Sequence, residues 1–476
     1  MLWLIGILLL FIVHVALILL LEFRNPAKAV AWMFILFLCP PLGPVLYYFM
    51  ARDYRKRKKL LHRGPVPFLS LRMLLRNHLA SPVRLQEMSN PEMHHQERLY
   101  QLLTHHAANP ITGRNQTQVY SSGEKAFGAM LERMEQARDH IHLEFYIFRS
   151  DMIGSAFAEV MIRKAREGVK VRMICDGLGS FKLEHAFIER LRAAGVEVFF
   201  FLPARVAMLN RRVNYRNHRK ILVVDGKFGF VGGLNVGDDY LGLYEKMGYW
   251  RDTHLQLNGD SVYYLQLTFL EDWLLASGQD LGDLALFPPH EGSGQEQVQI
   301  LTSGPNLLRN PIHEMCFNSI AVAKRRIWIA SPYFIPDPSV YSALKTAALS
   351  GIEVIILMPY HSDSRLVKLA SLSYVEELLE AGVKFFQYTK GFIHAKVMII
   401  DDLLASVGTA NMDMRSFFYN FEMTALLLDP ETIARLESDF KQDLLDSSPV
   451  VFEEFTQRPQ GQKMLELLAR LLSPLL

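Results

Sequence analysis

The stretch HRKILVVDGKFGFVGGLN, His218 to Asn235, returns later in the chain as HAKVMIIDDLLASVGTAN, His394 to Asn411. Both copies read H-x-K-x4-D-x6-G-x2-N. With a chance of about one in twenty for each fixed position, one match per chain is an accident on the order of 1 in 10^4. Two matches therefore mark a duplicated functional unit.

An apolar run follows each lysine, Ile221 to Val224 and Val397 to Ile400, and a turn closes it at Asp225-Gly226 or Asp401-Asp402. This reads as a buried strand. Side chains two apart on a strand share a face and stand roughly 7 Å apart, so His218 and Lys220 point at one target, as do His394 and Lys396. Gly232, Gly233 and Gly408 allow a close backbone approach. The carboxamides of Asn235 and Asn411 can donate to the same target. Lysine and asparagine donors suit phosphate oxygens, and histidine titrates near neutral pH. The combination points to a phosphoester substrate.

At these residues the chain resembles the phospholipase D superfamily, whose signature is H-x-K-x4-D twice in one chain. The flanks, NHRK before the first copy, GGLNVGDDYLG and YWRDTH after it, and GTANMDMRSFFYNFE after the second, resemble the bacterial cardiolipin synthases of that superfamily. The resemblance runs over nearly the whole chain. It implies duplicated phospholipase D-like αβα sandwich units with pseudo-twofold symmetry. It gives His218, Lys220, Asp225, His394, Lys396 and Asp401 as the catalytic set, with Asn235 and Asn411 binding substrate. Asp252 in YWRDTH and Glu422 in YNFE match the acids that orient the imidazoles. Asp225 and Asp401 lie at the far ends of their strands and support the structure in the resembling enzymes, so they rank as secondary site residues.

The chain has 476 residues, half of them apolar, and a net charge of +2. That length allows about three domains or one large double unit, and the composition leans towards a membrane protein. Cys39, Cys175 and Cys316 are far apart and form no C-x-x-C pair, so neither a disulfide framework nor a zinc site is indicated.

Residues 1–59 read as a membrane anchor. MLWLIGILLLFIVHVALILLL is long enough to cross a bilayer. His14 within it either snorkels or bonds to the neighbouring helix, and is left out of the site. A second apolar stretch, Ala29 to Met50, is interrupted by Pro40, Pro41, Gly43 and Pro44, so it spans, kinks or re-enters. The basic run RDYRKRKK, Arg52 to Lys59, outweighs Arg24 and Lys28 in the preceding loop. It therefore puts both ends of a transmembrane helical hairpin, and the catalytic part, on the cytoplasmic side of the inner membrane. The run is also a candidate for anionic headgroups.

Residues 60–115 form a connector in which leucines 71, 74, 75 and 79 recur at helical spacing with Arg72 and Arg76 between them. That helix lies in the membrane interface or packs as a plain connector. His94-His95 and His105-His106 read as solvated helix faces, because adjacent histidines diverge on a helix. From residue 116, strands and helices alternate, the pattern of an α/β fold with a mostly parallel sheet. AKRRIWIASPYFI replays residues 137–149, and AGVKFFQY replays AGVEVFFF, so 116–295 and 296–476 are two copies of one domain. Gly195 precedes His218 by 23 positions whereas Gly382 precedes His394 by 12. The first half thus carries an arginine-rich insert, LPARVAMLNRRVNYR, either a lipid-binding loop at the site mouth or a surface loop. The C-terminal MLELLARLLSPLL caps the core or touches the membrane.

Two half-sites facing each other across a pseudo-twofold axis would hold a phosphodiester between two imidazoles. One attacks phosphorus to give a phosphohistidine; the other protonates the leaving alkoxide and later deprotonates the incoming alcohol. Lys220, Lys396, Asn235 and Asn411 hold the non-bridging oxygens. Two ammonium groups make a metal unnecessary, and no cofactor is expected. The modest net charge gives no broad nucleic-acid footprint, and the apolar N-terminus favours lipid. By resemblance, His218 is the nucleophile, and the reaction transfers a phosphatidyl group from one phosphatidylglycerol to another. Hydrolysis, or transfer to a different alcohol, would use the same residues.

Overall fold

The computed structural model describes residues 2–22, 26–51, 66–75, 82–105, 109–203, 214–244, 247–290 and 294–476. In the first half the strands are β1 (Thr112–Ser122), β2 (His140–Phe145), β3 (Lys170–Asp176), β4 (Glu197–Phe201), β5 (Ile221–Val224), β6 (Phe228–Gly232) and β7 (Tyr249–Gly259). The second half contributes β8 (Glu296–Ser303), β9 (Arg326–Ala330), β10 (Phe334–Ile335), β11 (Glu353–Pro359), β12 (Lys384–Tyr388), β13 (Gly391–Ile393), β14 (Val397–Ile400), β15 (Leu404–Gly408), β16 (Met412–Asp413), β17 (Glu422–Leu427) and β18 (Ser447–Pro449). The order β1-β7-β6-β5-β2-β3-β4 in one half is repeated as β8-β17-β15-β14-β9-β11-β12 in the other. Antiparallel pairing of β1 with β8 fuses the halves into one 16-stranded sheet. β1 straddles position 116, where the sequence places the start of the first domain.

The sheet is mixed, which corrects the expectation of mostly parallel strands. Within each half of this sheet only β2-β3-β4 and β9-β11-β12 run parallel, while β10 and β16 form a separate parallel pair. Parallel neighbours need a crossover, and helices Met152–Arg166 and His185–Ala193 supply it in the first half. The motif strand β5 turns straight into β6 through Asp225-Gly226-Lys227, so that pair is antiparallel. The same holds for β14 and β15.

Alternation across the sheet separates two kinds of core. Ile221 and Val223 of β5 join Val397 and Ile399 of β14 in one inner layer shared by both halves. Leu222 and Val224 face the outer helices of the first half, and Met398 and Ile400 face those of the second. The inner layer is filled by helix Ser261–Ser277, buried on every side from Ser261 to Leu270, and by Ile433, Leu436 and Phe440 of helix Pro430–Leu445. The halves thus share a core and cannot bury it separately. Asp151, Asp337 and Asp429 cap their helices by accepting from backbone N–H groups two or three residues on.

At the N-terminus, helix Leu2–Leu21 packs on Pro26–Leu38, which breaks at the Cys39–Leu42 turn before Gly43–Met50. The second apolar stretch is therefore two short helices. Among the described residues, no helix is long and apolar enough to cross a membrane. Lys28 is no free loop charge: it is buried, 3.3 Å from Glu22, and donates to the Ala51 carbonyl. His14 bonds the Leu10 carbonyl one turn back on its own helix rather than a neighbour. The basic run 52–59 lies outside the described residues. Helix Val66–Leu74 buries Phe68 and Leu71 against the inner core.

Candidate active site

Each motif enters its strand by pairing with the opposite half. The segment before β14 is β13, which runs parallel to the start of β7, and the His394 amide donates to the Arg251 carbonyl at 2.7 Å. In the other copy, Asn217 bridges Phe421, and the His218 amide donates to the Phe421 carbonyl at 2.9 Å. The next residues along those partner strands are Asp252 and Glu422. The acids therefore meet the histidines crosswise: His218 Nδ1 lies 3.0 Å from Glu422 Oε1, and His394 Nδ1 lies 2.7 Å from Asp252 Oδ2. Both Nε2 atoms are left for a substrate. The imidazoles line one cavity of about 350 Å³ together with Asn235 and Asn411. A larger cavity, of about 1020 Å³, lies between Leu71, His140 and Asp280 and contains no motif residue.

Burial dominates the electrostatics of this cavity. Desolvation pulls the His394 ring down to about 3, Lys396 adds to this, and Asp252 offsets it only in part. His218 is lowered for the same reason, with Glu422 opposing and Lys220 assisting. Burial alone would raise both acids, but the paired histidines, their hydrogen bonds and the lysines hold Asp252 and Glu422 below the ordinary carboxylate range. Desolvation brings Lys220 to about 7 and Lys396 to about 8. Each ammonium donates to its own motif histidine carbonyl, at 2.7 Å for Lys220 and 2.5 Å for Lys396. A lysine has three donors, so two hydrogens remain on each. Neither lysine is among the residues lining the cavity, whose charged lining is Arg216 and Arg415 with Asp363 and Asp413, beside the two imidazoles.

The two asparagines differ. Asn235 accepts from the Ile147 amide at 3.0 Å and donates to the Tyr240 hydroxyl at 2.8 Å, so half of its hydrogen-bonding capacity is spent inside the protein. Buried Asn411 Oδ1 has no hydrogen-bond partner among the described residues. Asp225 and Asp401 stand apart from the cavity. The Asp225 carboxylate accepts from the Arg138, Asp139 and His140 amides at 2.8 to 3.0 Å. The Asp401 carboxylate accepts from the Lys324, Arg325 and Arg326 amides at 2.8 to 2.9 Å. Both take positive φ, 52° and 49°, which aspartate tolerates better than most residues. Their place in the catalytic set is corrected accordingly: they pin the chain entering β2 and β9 beside the motif strands.

Several contributors went unread in the sequence. Tyr146 packs edge-on to His218 at 4.9 Å, and Trp250 packs on His394 at 5.2 Å, between ring centroids. The Thr409 hydroxyl donates to Glu422, and Asn420 donates to it at 3.1 Å. At the matching first-copy position, a Cβ on Gly233 would stand 2.0 Å from Asp252 Oδ1, so glycine there makes room for the acid. Leu475 and Leu476 also line the cavity, which puts the C-terminal stretch at the site. Of the arginine-rich insert, 204–213 lies outside the described residues, while Asn214 holds Arg415 and Arg216 lines the cavity beside Asp176.

Comparison with known proteins bears on this arrangement. The family described as "Cardiolipin synthase, PLD-like domain" matches residues 130–256 and 317–444, one match in each half. A family described as "Phospholipase_D-nuclease N-terminal" matches residues 6–52. A cardiolipin synthase of Geobacillus kaustophilus is 44% identical over 98% of this chain and 92% of its own length. Cardiolipin synthase 2 of Bacillus anthracis is 43% identical over 96% of this chain and 88% of its own. Among solved structures, phosphatidylserine synthase of Haemophilus influenzae superposes with a TM-score of 0.64, covering 80% of this chain and 100% of that one at 16% identity. At that identity the likeness speaks for the fold.

Proposed function

The chain belongs to the cardiolipin synthase family with phospholipase D-like domains, and from that premise we propose that it transfers a phosphatidyl group from one phosphatidylglycerol to another, giving cardiolipin and glycerol through a phosphohistidine. The observation that carries the reading is the crossed pairing of two histidines and two acids around one cavity. Because each Nδ1 is held by a carboxylate, each ring presents Nε2. One Nε2 attacks phosphorus, the P–N bond forms, and the glycerol oxygen leaves with a proton from the other imidazole. The primary hydroxyl of the second lipid then gives its proton to that imidazole, attacks phosphorus and breaks the P–N bond.

Burial biases both rings to the neutral form in this cavity. A bound phosphodiester anion favours a protonated neighbour, so substrate arrival charges the acid while the nucleophile stays neutral. The lysine hydrogens left over from the backbone bonds meet the non-bridging oxygens as charge builds. His218 takes the nucleophile's role by resemblance. Covalent label from phosphatidylglycerol, mapped after a rapid acid-free quench, checks it: label at residue 394 in His218→Ala reverses the roles. Chelation of divalent ions leaves turnover intact on this mechanism, and loss with EDTA that magnesium restores overturns it.

The apolar N-terminal helices serve as the membrane anchor, with the catalytic part on the cytoplasmic face beside the basic run after residue 51. The apolar exposed faces of Leu2–Leu21 and Pro26–Leu38 support the anchor, and the basic run in the sequence supports the cytoplasmic side. A periplasmic signal from a reporter fused at residue 60 or at the C-terminus overturns it. For the reaction, the purified full chain is supplied with pure phosphatidylglycerol and the lipids are analysed by mass spectrometry. Cardiolipin with equimolar glycerol is expected. Phosphatidic acid without cardiolipin would make the enzyme a hydrolase.

A further inference from the structure

The cavity is not symmetric, and the asymmetry is chemical. Counted from the motif asparagines, Asp413 and Arg415 occupy the positions of Gly237 and Asp239 in the first half. Asp239 is tied to Arg149 at 2.7 Å, and Asn235 spends its carboxamide on Ile147 and Tyr240. At these two positions the first-half wall keeps one donor and one acceptor position of Asn235 and no uncompensated charge. On the second-half wall, Asn411, Asp413 and Arg415 all line the cavity. Asn411 is 6% exposed, yet its Oδ1 has no partner among the described residues. Asp413 is buried, accepts from the Ser416 amide at 2.6 Å and from the Ser416 and Asn411 side chains, and lines the same space. Arg415 donates only to neutral groups, the Asn214 side chain at 2.8 Å and the Asn214 carbonyl at 3.1 Å. Among the described residues, no carboxylate lies within ion-pair distance of it.

The direct contacts of the charged groups give this a direction. Lys220 and Lys396 are balanced by Asp252 and Glu422, and Arg216 is paired with Asp176 at 3.4 Å. A donor phosphodiester is balanced by the imidazolium it induces. Asp413 stands on the same wall and draws electrostatically on Arg415, but neither it nor Asp363, which also lines the cavity, lies within ion-pair distance, so among the described residues the guanidinium has no carboxylate in direct contact. A half-buried guanidinium held in place by neutral acceptors is a ready partner for a second phosphodiester. The reaction needs one, because the acceptor phosphatidylglycerol carries a phosphate three carbons from its attacking hydroxyl.

We propose that Arg415 binds the phosphate of the acceptor lipid, while Asn411 Oδ1 and the Asp413 carboxyl accept from its glycerol hydroxyls, so that the second-half wall is the acceptor headgroup subsite. The inference rests on the phosphatidyl-transfer reading given above. In the second step, the acceptor's primary oxygen bonds to phosphorus, its proton goes to the imidazole not bonded to phosphorus, and the P–N bond breaks. Arg415 takes no part in these bonds. It sets where the acceptor lies, and so which alcohol is used.

The test compares two acceptors on the purified full chain in mixed micelles of detergent and phosphatidylglycerol. One is phosphatidylglycerol itself, read as cardiolipin. The other is labelled free glycerol, which carries no phosphate, read as its exchange into phosphatidylglycerol. Arg415→Gln is expected to lower the ratio of cardiolipin to exchange product about tenfold or more, the scale of one charged hydrogen bond. Arg415→Lys is expected to recover most of that ratio, which also separates charge from folding. If the ratio stays within about twofold of wild type in Arg415→Gln, or both products fall together, Arg415 does not serve the acceptor and the proposal is overturned. If the wild-type chain exchanges glycerol but makes no cardiolipin, the transfer reading itself fails and the subsite falls with it.

Discussion

Asp252 and Glu422 carry the residue-scale logic of this protein, because each closes a site begun by the other half. Asp252→Asn and Glu422→Gln are expected to cut turnover about a hundredfold or more while the protein stays folded, since each removes the charge that orients an imidazole. The crossed pairing adds a sharper readout. In Glu422→Gln the His218 ring should lose proton affinity while His394 keeps its own, and Asp252→Asn should do the reverse. Ring titration by NMR checks this, and a shift at the wrong histidine refutes the pairing. The lysines make a second prediction. With Lys220 near 7 and Lys396 near 8 in the fold, against about 10.4 unfolded, the unfolded chain binds more protons between those values. Stability of the ligand-free protein should therefore rise with pH from about 7 to 9.5, below the range where tyrosines titrate. Lys220→Met should flatten that rise in thermal melts, and an unchanged slope would show that the buried amine is not depressed.

At the scale of the element, Asp225 and Asp401 anchor the ends of the two motif strands. Each gathers three backbone N–H groups from the chain entering the neighbouring strand. Asp225→Ala is expected to cost about 2 to 4 kcal/mol of stability, since hydrogen bonds to a charged acceptor are each worth about 1.5 to 3 and are not additive. The remaining folded enzyme should keep kcat within about threefold. Denaturant melts beside single-temperature kinetics separate the two, and a large kcat loss in fully folded Asp225→Ala would return that residue to the chemistry.

For the whole molecule, the inner core makes the halves interdependent. Ile221 and Val223 pack in the same layer as Val397, Ile399 and Phe440, and β1 pairs with β8 across the junction. A chain ending near residue 295 would expose that layer and would lack Glu422 beside His218. It is expected to be inactive and to melt without a cooperative transition, whereas co-expression with residues 296–476 restores activity. Turnover by the first segment alone would mean that a half-site suffices.

The amino-acid sequence by itself determined the duplication and the alternating α/β pattern, and it singled out the histidines, lysines, asparagines and acids proposed for the site, because fixed spacing and strand periodicity are local properties of the chain. It left three things to the tertiary structure. Which acid serves which histidine follows from β13 and the Asn217 bridge crossing to the opposite half, a non-local pairing with no signature in spacing. The antiparallel part of the sheet follows from the tight turns after Val224 and Ile400, which only chain reversal reveals against a helix-and-strand rhythm that suggests crossovers. The unequal use of Asn235 and Asn411 follows from Tyr240 and Ile147 reaching one of them and not the other. Identical motif residues acquire different partners because the halves, though repeated in order, meet through different neighbours.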